Sequence, residues 1–465
     1  MLAIIAIFLL PILTGGLLVH LLWPDREPKN LVLQAFLGTG IGLGITSLSY
    51  FLYMSFFAGQ HWFLAVQVFV LVIALAAVLW QARKQSSGSS VPRQLDRTSR
   101  VQLIFFAFGA VIFLISLAST ASYILRRKQG DWDAWMMYNR AARFIYRDQS
   151  HWLGSFSSQM DPIFHADYPL FLAMNIASGW DTLGNDSPRV PMAQSAVFAV
   201  ACAGLLAGAL ACAKSPGQAA LGLIVFWGTP TVVTEGAREL ADVPLAYFFL
   251  ATGVLIYLYF VHRKAGLLVL AGFTAGLAAW MKNEGSVFVI AAAVGLAIAF
   301  LREKPWRVLL WYAVGLVIPL AIVLYFKFFL APPSDVLSNG PARSIAQALD
   351  LARHAEILGA FWNELLTFGG WTLMAQPIGI MIVLLVYLLL TRTPLTRKYR
   401  PIFTAVFVML AIQMLGYYAV YVITPYDLQW HLGFSIFRIF LQVFPLIAFV
   451  VFSSARSLES IFGGD

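Results

Sequence analysis

The stretch VQLIFFAFGAVIFLISLASTASYIL, residues 101–125, holds no charged residue in 25 positions. A hydrocarbon core about 30 Å thick is crossed by about 20 apolar residues in a helix, so this run is long enough to span a bilayer. It is one of many. Sixty per cent of the 465 residues are hydrophobic and the mean hydropathy is +0.78, against about 45 to 50% apolar residues in a soluble domain. Backbone groups in lipid must be satisfied within the segment, and these runs are far too long for barrel strands. The expectation is an all-α polytopic membrane protein of about thirteen transmembrane helices, starting near residues 2, 31, 61, 101, 193, 218, 240, 265, 285, 307, 372, 401 and 433.

The net charge of +9 does not point to nucleic acid, because the basic residues form short clusters between apolar runs. The run from Leu2 has no basic residue before it and no small-residue cleavage site, so it reads as a retained helix. Cys202 and Cys212 lie in one expected helix, about 15 Å apart along its axis. That distance excludes a disulfide.

RKQSSGSSVPRQLDRTSR, residues 83–100, carries five basic residues and one acid, which makes it cytoplasmic. The remaining loops then alternate. Of the 22 acids, 16 fall on the outer side, so candidate acid/base groups concentrate there. Three regions are expected: a three-helix unit (1–82), the linker (83–100) and a membrane core (101–465) with outer loops at 124–192 and 332–371.

The first outer loop contains GDWDAWMMYNRAARFIYRDQ, residues 130–149. From Asp133 it reads as an interfacial helix, with Trp135, Tyr138, Ala142 and Ile145 towards lipid and Arg140, Arg143 and Arg147 towards headgroups. Asp131 and Asp133 would then also cap the helix. Other outer segments add FHADYPLFLAMN with His165, Asp167 and Tyr168; TEGARELADVPL with Glu235, Arg238, Glu239 and Asp242; AAWMKNEGSVF with Lys282 and Glu284; and TPYDLQWHLGFSIFRIFLQVFP with Asp427, Trp430, His431 and Arg438. Each has a plain structural reading. Lys282 can snorkel, Asp242 can cap a helix before Val243-Pro244, and His431 beside Trp430 can sit in the interface. Arg438 is different, because an arginine inside an apolar run faces a cavity or a partner.

Carboxylates with Lys, Arg and His at one membrane face suit group transfer from a lipid phosphate. The cations would hold the phosphate and a carboxylate would take the proton of an acceptor hydroxyl. Here the chain resembles the glycosyltransferase C superfamily, in particular the group holding the dolichyl-phosphate-mannose protein mannosyltransferases and the bacterial aminoarabinose transferase of lipid A. The similarity runs from Val101 to the C-terminus and rests on GDWDAW, DYPL, ELADVPLAYF, GLAAWMKNEG and WHLGFSIFR in that order.

The resemblance implies an inverting transferase that uses a polyprenyl-phosphate sugar. Asp133 would be the general base and Asp131 its helper. Arg438, Lys282 and His431 would bind the donor phosphate. His165, Asp167, Tyr168, Glu235, Arg238, Glu239, Asp242, Glu284 and Trp430 would be sugar-binding, acceptor-binding or supporting groups. Asp133-Ala134 stands where the family has Asp-Glu, so the supporting carboxylate must come from elsewhere. DWD is also a D-x-D pattern, but a monophosphate donor needs less charge neutralisation, and no essential metal is expected. The acceptor would be a protein, a lipid or an envelope glycan, reached on the periplasmic side of the inner membrane. Competing readings are a transporter or flippase, a lipid-diphosphate glycan ligase and a non-catalytic scaffold.

Overall fold

The computed structural model describes residues 2–25, 27–84, 100–157, 159–160, 164–334, 336, 340–391 and 400–462. Most of the linker expected at 83–100 therefore lies outside the described residues. The chain begins with α1 (Leu2–Leu22), α2 (Pro28–Phe57), α3 (Phe63–Lys84) and α4 (Arg100–Arg126). After a π-helical turn at Ala134–Tyr138 come α5 (Asn139–Arg147), a 3-10 segment (Gln149–Phe156), α6 (Phe171–Leu183), α7 (Arg189–Ala213), α8 (Pro216–Trp227) and α9 (Pro230–Gly236). Then follow α10 (Asp242–His262), α11 (Ala265–Met281), α12 (Asn283–Ala299) and α13 (Pro305–Tyr325), which runs into a second π turn at Phe326–Leu330. The last part holds α14 (Gly340–Leu349), α15 (Leu351–Thr367), the strands β1 (Trp371–Leu373) and β2 (Gln376–Ile378), α16 (Ile380–Thr391), α17 (Arg400–Ile423), α18 (Leu428–Ser454) and α19 (Leu458–Phe462).

Among the described residues nine helices are long and apolar enough to cross a membrane, or ten if α8 and α9, bent by 69°, form one span. This is the architecture of a polytopic membrane protein. The apolar helices α11, α12 and α16 fall where spans are expected but are shorter.

Burial sorts the helices. The apolar sequence of α10 is almost wholly buried, and the helix packs against α2, α7, α11 and α18. By contrast α3 and α4 expose most of their apolar side chains, as lipid-facing helices do. The first three helices do not stand apart, since α2 packs on α6 and α7 as well as on α1. Its contact with α1 requires glycine: a Cβ on Gly42 would come within 1.8 Å of the Pro11 carbonyl oxygen. Small residues permit such close helix approach in membranes.

Two expectations change. The helix expected from residue 372 is preceded by a β-hairpin whose loop residues, Met374 and Ala375, both have positive φ, the mirror-type turn that matches strand twist. The apolar stripe of the first outer loop turns inward. Tyr138, Ala142 and Ile145 are buried because α5 packs on α6, and of the four stripe residues only Trp135 stays exposed.

Candidate active site

Four segments distant in sequence meet at one end of the bundle. Asp242 is the first residue of α10, Lys282 links α11 to α12, and Arg438 lies on α18. Asp133 precedes the π turn between α4 and α5. The Arg438 Nε donates to Asp242 Oδ2 at 2.8 Å, and its Nη1 donates to Asp133 Oδ2 at 2.7 Å. The Lys282 Nζ lies 3.2 Å from Asp242 Oδ1 and 2.8 Å from Glu284 Oε1. The Gln442 Nε2 donates to Asp242 Oδ1 at 2.5 Å, and the Tyr417 hydroxyl donates to Gln442 Oε1.

Exposure sets the order of these groups. The Asp242 side chain is 0% exposed, Arg438 16% and Asp133 29%. A carboxylate as deep as Asp242 persists only when paired and hydrogen-bonded, and three donors supply that. The plain structural readings of these residues do not describe what they do. Lys282 is buried between two carboxylates, and the Asp133 and Asp242 side chains serve Arg438 instead of capping a helix. Because α18 begins at Leu428, Arg438 sits about 15 Å below its N-terminal end, deeper than a start near residue 433 implied.

The Tyr138 ring lies beside this network. Burial, and then the Asp242 and Asp133 carboxylates, hold its phenol well above the ordinary range, which keeps it an O–H donor.

A second cluster is more open. Asp131 pairs with Arg238 at 3.1 Å and Arg127 at 3.4 Å, while Arg238 reaches Glu235 Oε1 at 2.7 Å. Asp131 also accepts the Trp132 backbone N–H, and its own N–H donates to the Arg238 carbonyl, which ties the connection after α4 to the segment before α10. Gly130 makes this approach possible: with φ +72°, a Cβ there would come within 2.6 Å of the Arg238 carbonyl oxygen. Next to it Glu239, at φ +61°, is buried and accepts from Asn139 Nδ2 at 3.1 Å. Burial pushes its carboxyl up to about 8, against the opposing pull of Asn139 and Arg143.

The remaining candidates lie to the side. Asp167 accepts from Asn283 Nδ2 at 3.0 Å, and Lys327 lies 3.6 Å from its carboxylate; Asn283 adjoins Lys282, so this pair borders the network. The His165 and Tyr168 rings pack in a tilted arrangement, 5.1 Å apart, in the same loop. His431 is not brought to the network. Its ring bonds Thr424 Oγ1 at 2.9 Å and packs on Tyr421, about 10 Å along α18 from Arg438. Trp430 is exposed and packs on Phe434.

Gln442, Tyr417, Asn139 and Asn283 are not among the residues expected from the sequence, and the sequence pattern alone points Tyr138 towards lipid. Gln442 carried a signal: it follows Arg438 by four residues, hence on one helix face, and is a polar residue in an apolar run. No group of three or more His, Cys, Asp or Glu is arranged to hold a metal among the described residues, and the carboxylates of the DWD motif go to different arginines. Comparison with known proteins supplies no relative: no family model, curated protein or solved structure matches the chain.

Proposed function

We propose that the protein is a membrane glycosyltransferase that moves a sugar from a polyprenyl-monophosphate donor to an acceptor hydroxyl, with inversion, on the extracytoplasmic face of the inner membrane. The supporting observation is Arg438, anchored from below by buried Asp242 and reaching the more exposed Asp133. At rest Arg438 and Lys282 are paired with Asp133, Asp242 and Glu284. A donor phosphate would compete for Arg438, and Asp133 is the partner free to yield.

Released from its guanidinium partner, the Asp133 carboxylate is free to accept a hydrogen bond from the acceptor hydroxyl. It takes the proton of the acceptor hydroxyl, the acceptor oxygen attacks the anomeric carbon, and the bond from that carbon to the phosphate oxygen breaks. The proton ends on Asp133 and the negative charge on the polyprenyl phosphate, facing Arg438 and Lys282. Asp242, Gln442 and Tyr417 position the arginine. Asp131 and Arg238 hold the loop that carries Asp133. Charge neutralisation comes from side chains, so the reaction needs no essential metal. In this reading the α8–α9 pair, α11, α12 and α16 also cross the membrane, which gives thirteen spans, and the 83–100 linker is cytoplasmic.

The test is sugar transfer by purified protein with a panel of polyprenyl-phosphate sugars, with and without chelator, comparing wild type and Asp133→Asn. Turnover of one donor is expected, falling about 10²- to 10⁴-fold in the variant. A folded wild type that consumes no monophosphate donor would reject the reading. The 69° break between α8 and α9 favours a second reading, a transporter or flippase. Vectorial movement of an intact lipid-linked sugar in proteoliposomes would select it.

A further inference from the structure

A small, partly open pocket lies between the first π turn, α5, the 3-10 segment and residues 164–170. Tyr138, Arg140, Ser155, Phe164 and His165 are among its lining residues. Tyr138 Oη, Arg140 Nη1 and Ser155 Oγ are buried and without a hydrogen-bond partner among the described residues, and the His165 ring, its Nδ1 also buried, adds to the polar lining. Tyr138 is 4% exposed and Ser155 0%. Native proteins leave few such groups, and each calls for a physical explanation.

All three can donate. The guanidinium has only N–H groups, the Tyr138 phenol stays protonated, and a serine hydroxyl rotates to suit its partner. Arg140 is otherwise held in place without a counter-charge. Its Nε donates to the Met136 carbonyl at 2.9 Å, its Nη2 reaches the Phe164 carbonyl at 3.5 Å, and its guanidinium lies 4.6 Å from the Phe164 ring centre. No carboxylate pairs with it among the described residues, whereas Arg143 and Arg147 on the same helix both face Asp186. A half-buried cation with converging hydroxyls and no acid among the described residues is a site for an oxygen-rich anion. The cavity, about 20 Å³, has room for one water-sized group, so it takes a single terminal oxygen.

We propose that Arg140, Tyr138 and Ser155 form a subsite for a negatively charged oxygen of the acceptor, a carboxylate or phosphate oxygen, which sets the acceptor hydroxyl beside Asp133. The assignment rests on the transferase reading for the identity of the ligand, but not for the existence of the subsite. Tyr138 connects the two, since its ring lines the pocket and lies near the Asp133 and Asp242 carboxylates.

The experiment has a binding arm and a transfer arm. In the first, inorganic phosphate and acetate are titrated into the detergent-solubilised protein, with chloride at equal ionic strength as control, and the thermal midpoint is followed. A saturable stabilisation beyond chloride is expected in wild type. It should weaken about tenfold or more in Arg140→Gln and about fivefold in Ser155→Ala, a variant that removes one oxygen atom and keeps the fold. No saturable effect in wild type, or equal effects in wild type and both variants, would overturn the subsite and leave water as the pocket's occupant. In the second arm, anionic and neutral acceptors are compared with the active donor. Arg140→Gln should raise KM for the anionic acceptor alone, and an equal change for both would overturn the acceptor assignment. If no donor is consumed at all, the transferase reading and the acceptor assignment fall together while the anion titration still decides the pocket.

Discussion

The network around Asp242 and the cluster around Asp131 use the same pairing of carboxylate with guanidinium, two residues apart at their shared loop, yet they are built differently. The first draws on α10, the α11–α12 link, α18 and the loop, and encloses its central carboxylate completely. The second joins two segments, residues 127–131 and 235–238, and leaves Asp131 30% exposed. Burial turns an ion pair into a geometric constraint, because a partner removed from a dry site leaves a charge that nothing solvates. Exposure leaves it a tether that water and salt can replace.

The largest test of this contrast is Asp242→Ala. It takes the buried one of two carboxylate partners from both Arg438 and Lys282, and a loss of about 3 to 5 kcal/mol is expected, read as a fall in thermal or denaturant stability in detergent. A loss below about 1 kcal/mol would place Asp242 in the same class as an exposed pair.

Glu239 sharpens the boundary between the regions. Its folded carboxyl titrates near 8 instead of 4.5, so the unfolded chain releases this proton first as pH rises. The group therefore costs no stability below about pH 4.5, a growing amount between about 4.5 and 8, and a constant amount above, on the order of a few kcal/mol. Stability measured across this window should fall in wild type and lose that component in Glu239→Gln. An identical slope in both proteins would show that Glu239 is ionised in the fold.

The smallest effect belongs to Asp131→Asn. A loss below about 1 kcal/mol is expected, shrinking as salt rises. A salt-independent loss comparable to that of Asp242→Ala would erase the distinction.

The sequence made part of this legible. An arginine inside the apolar run of α18 and acids gathered at the proposed outer ends pointed to Arg438, Asp133, Asp242 and Lys282, because charges in such a chain are too costly to be incidental. What covers a helical face was not legible. The period of Tyr138, Ala142 and Ile145 shows that they share a side, but lipid and α6 satisfy an apolar stripe equally well. The neutral partners Gln442, Tyr417 and Asn139 escaped for a related reason: an uncharged amide or phenol stands out only once the charged group it supports is located. The resemblance implies that His431 lies beside Arg438, whereas the structure sets it seven residues away along α18, about 10 Å in axial rise, with its ring on Thr424 and Tyr421.

The most direct measurement is donor binding, with turnover, by wild type, Asp133→Asn and Arg438→Gln under the same conditions. Asp133→Asn should bind the donor at least as tightly as wild type, because Arg438 loses a competing carboxylate, while turnover is lost. Arg438→Gln should lose binding itself. Equal donor affinity in wild type and Arg438→Gln, or full turnover by Asp133→Asn, would contradict the assignment of Arg438 to the phosphate and Asp133 to the proton.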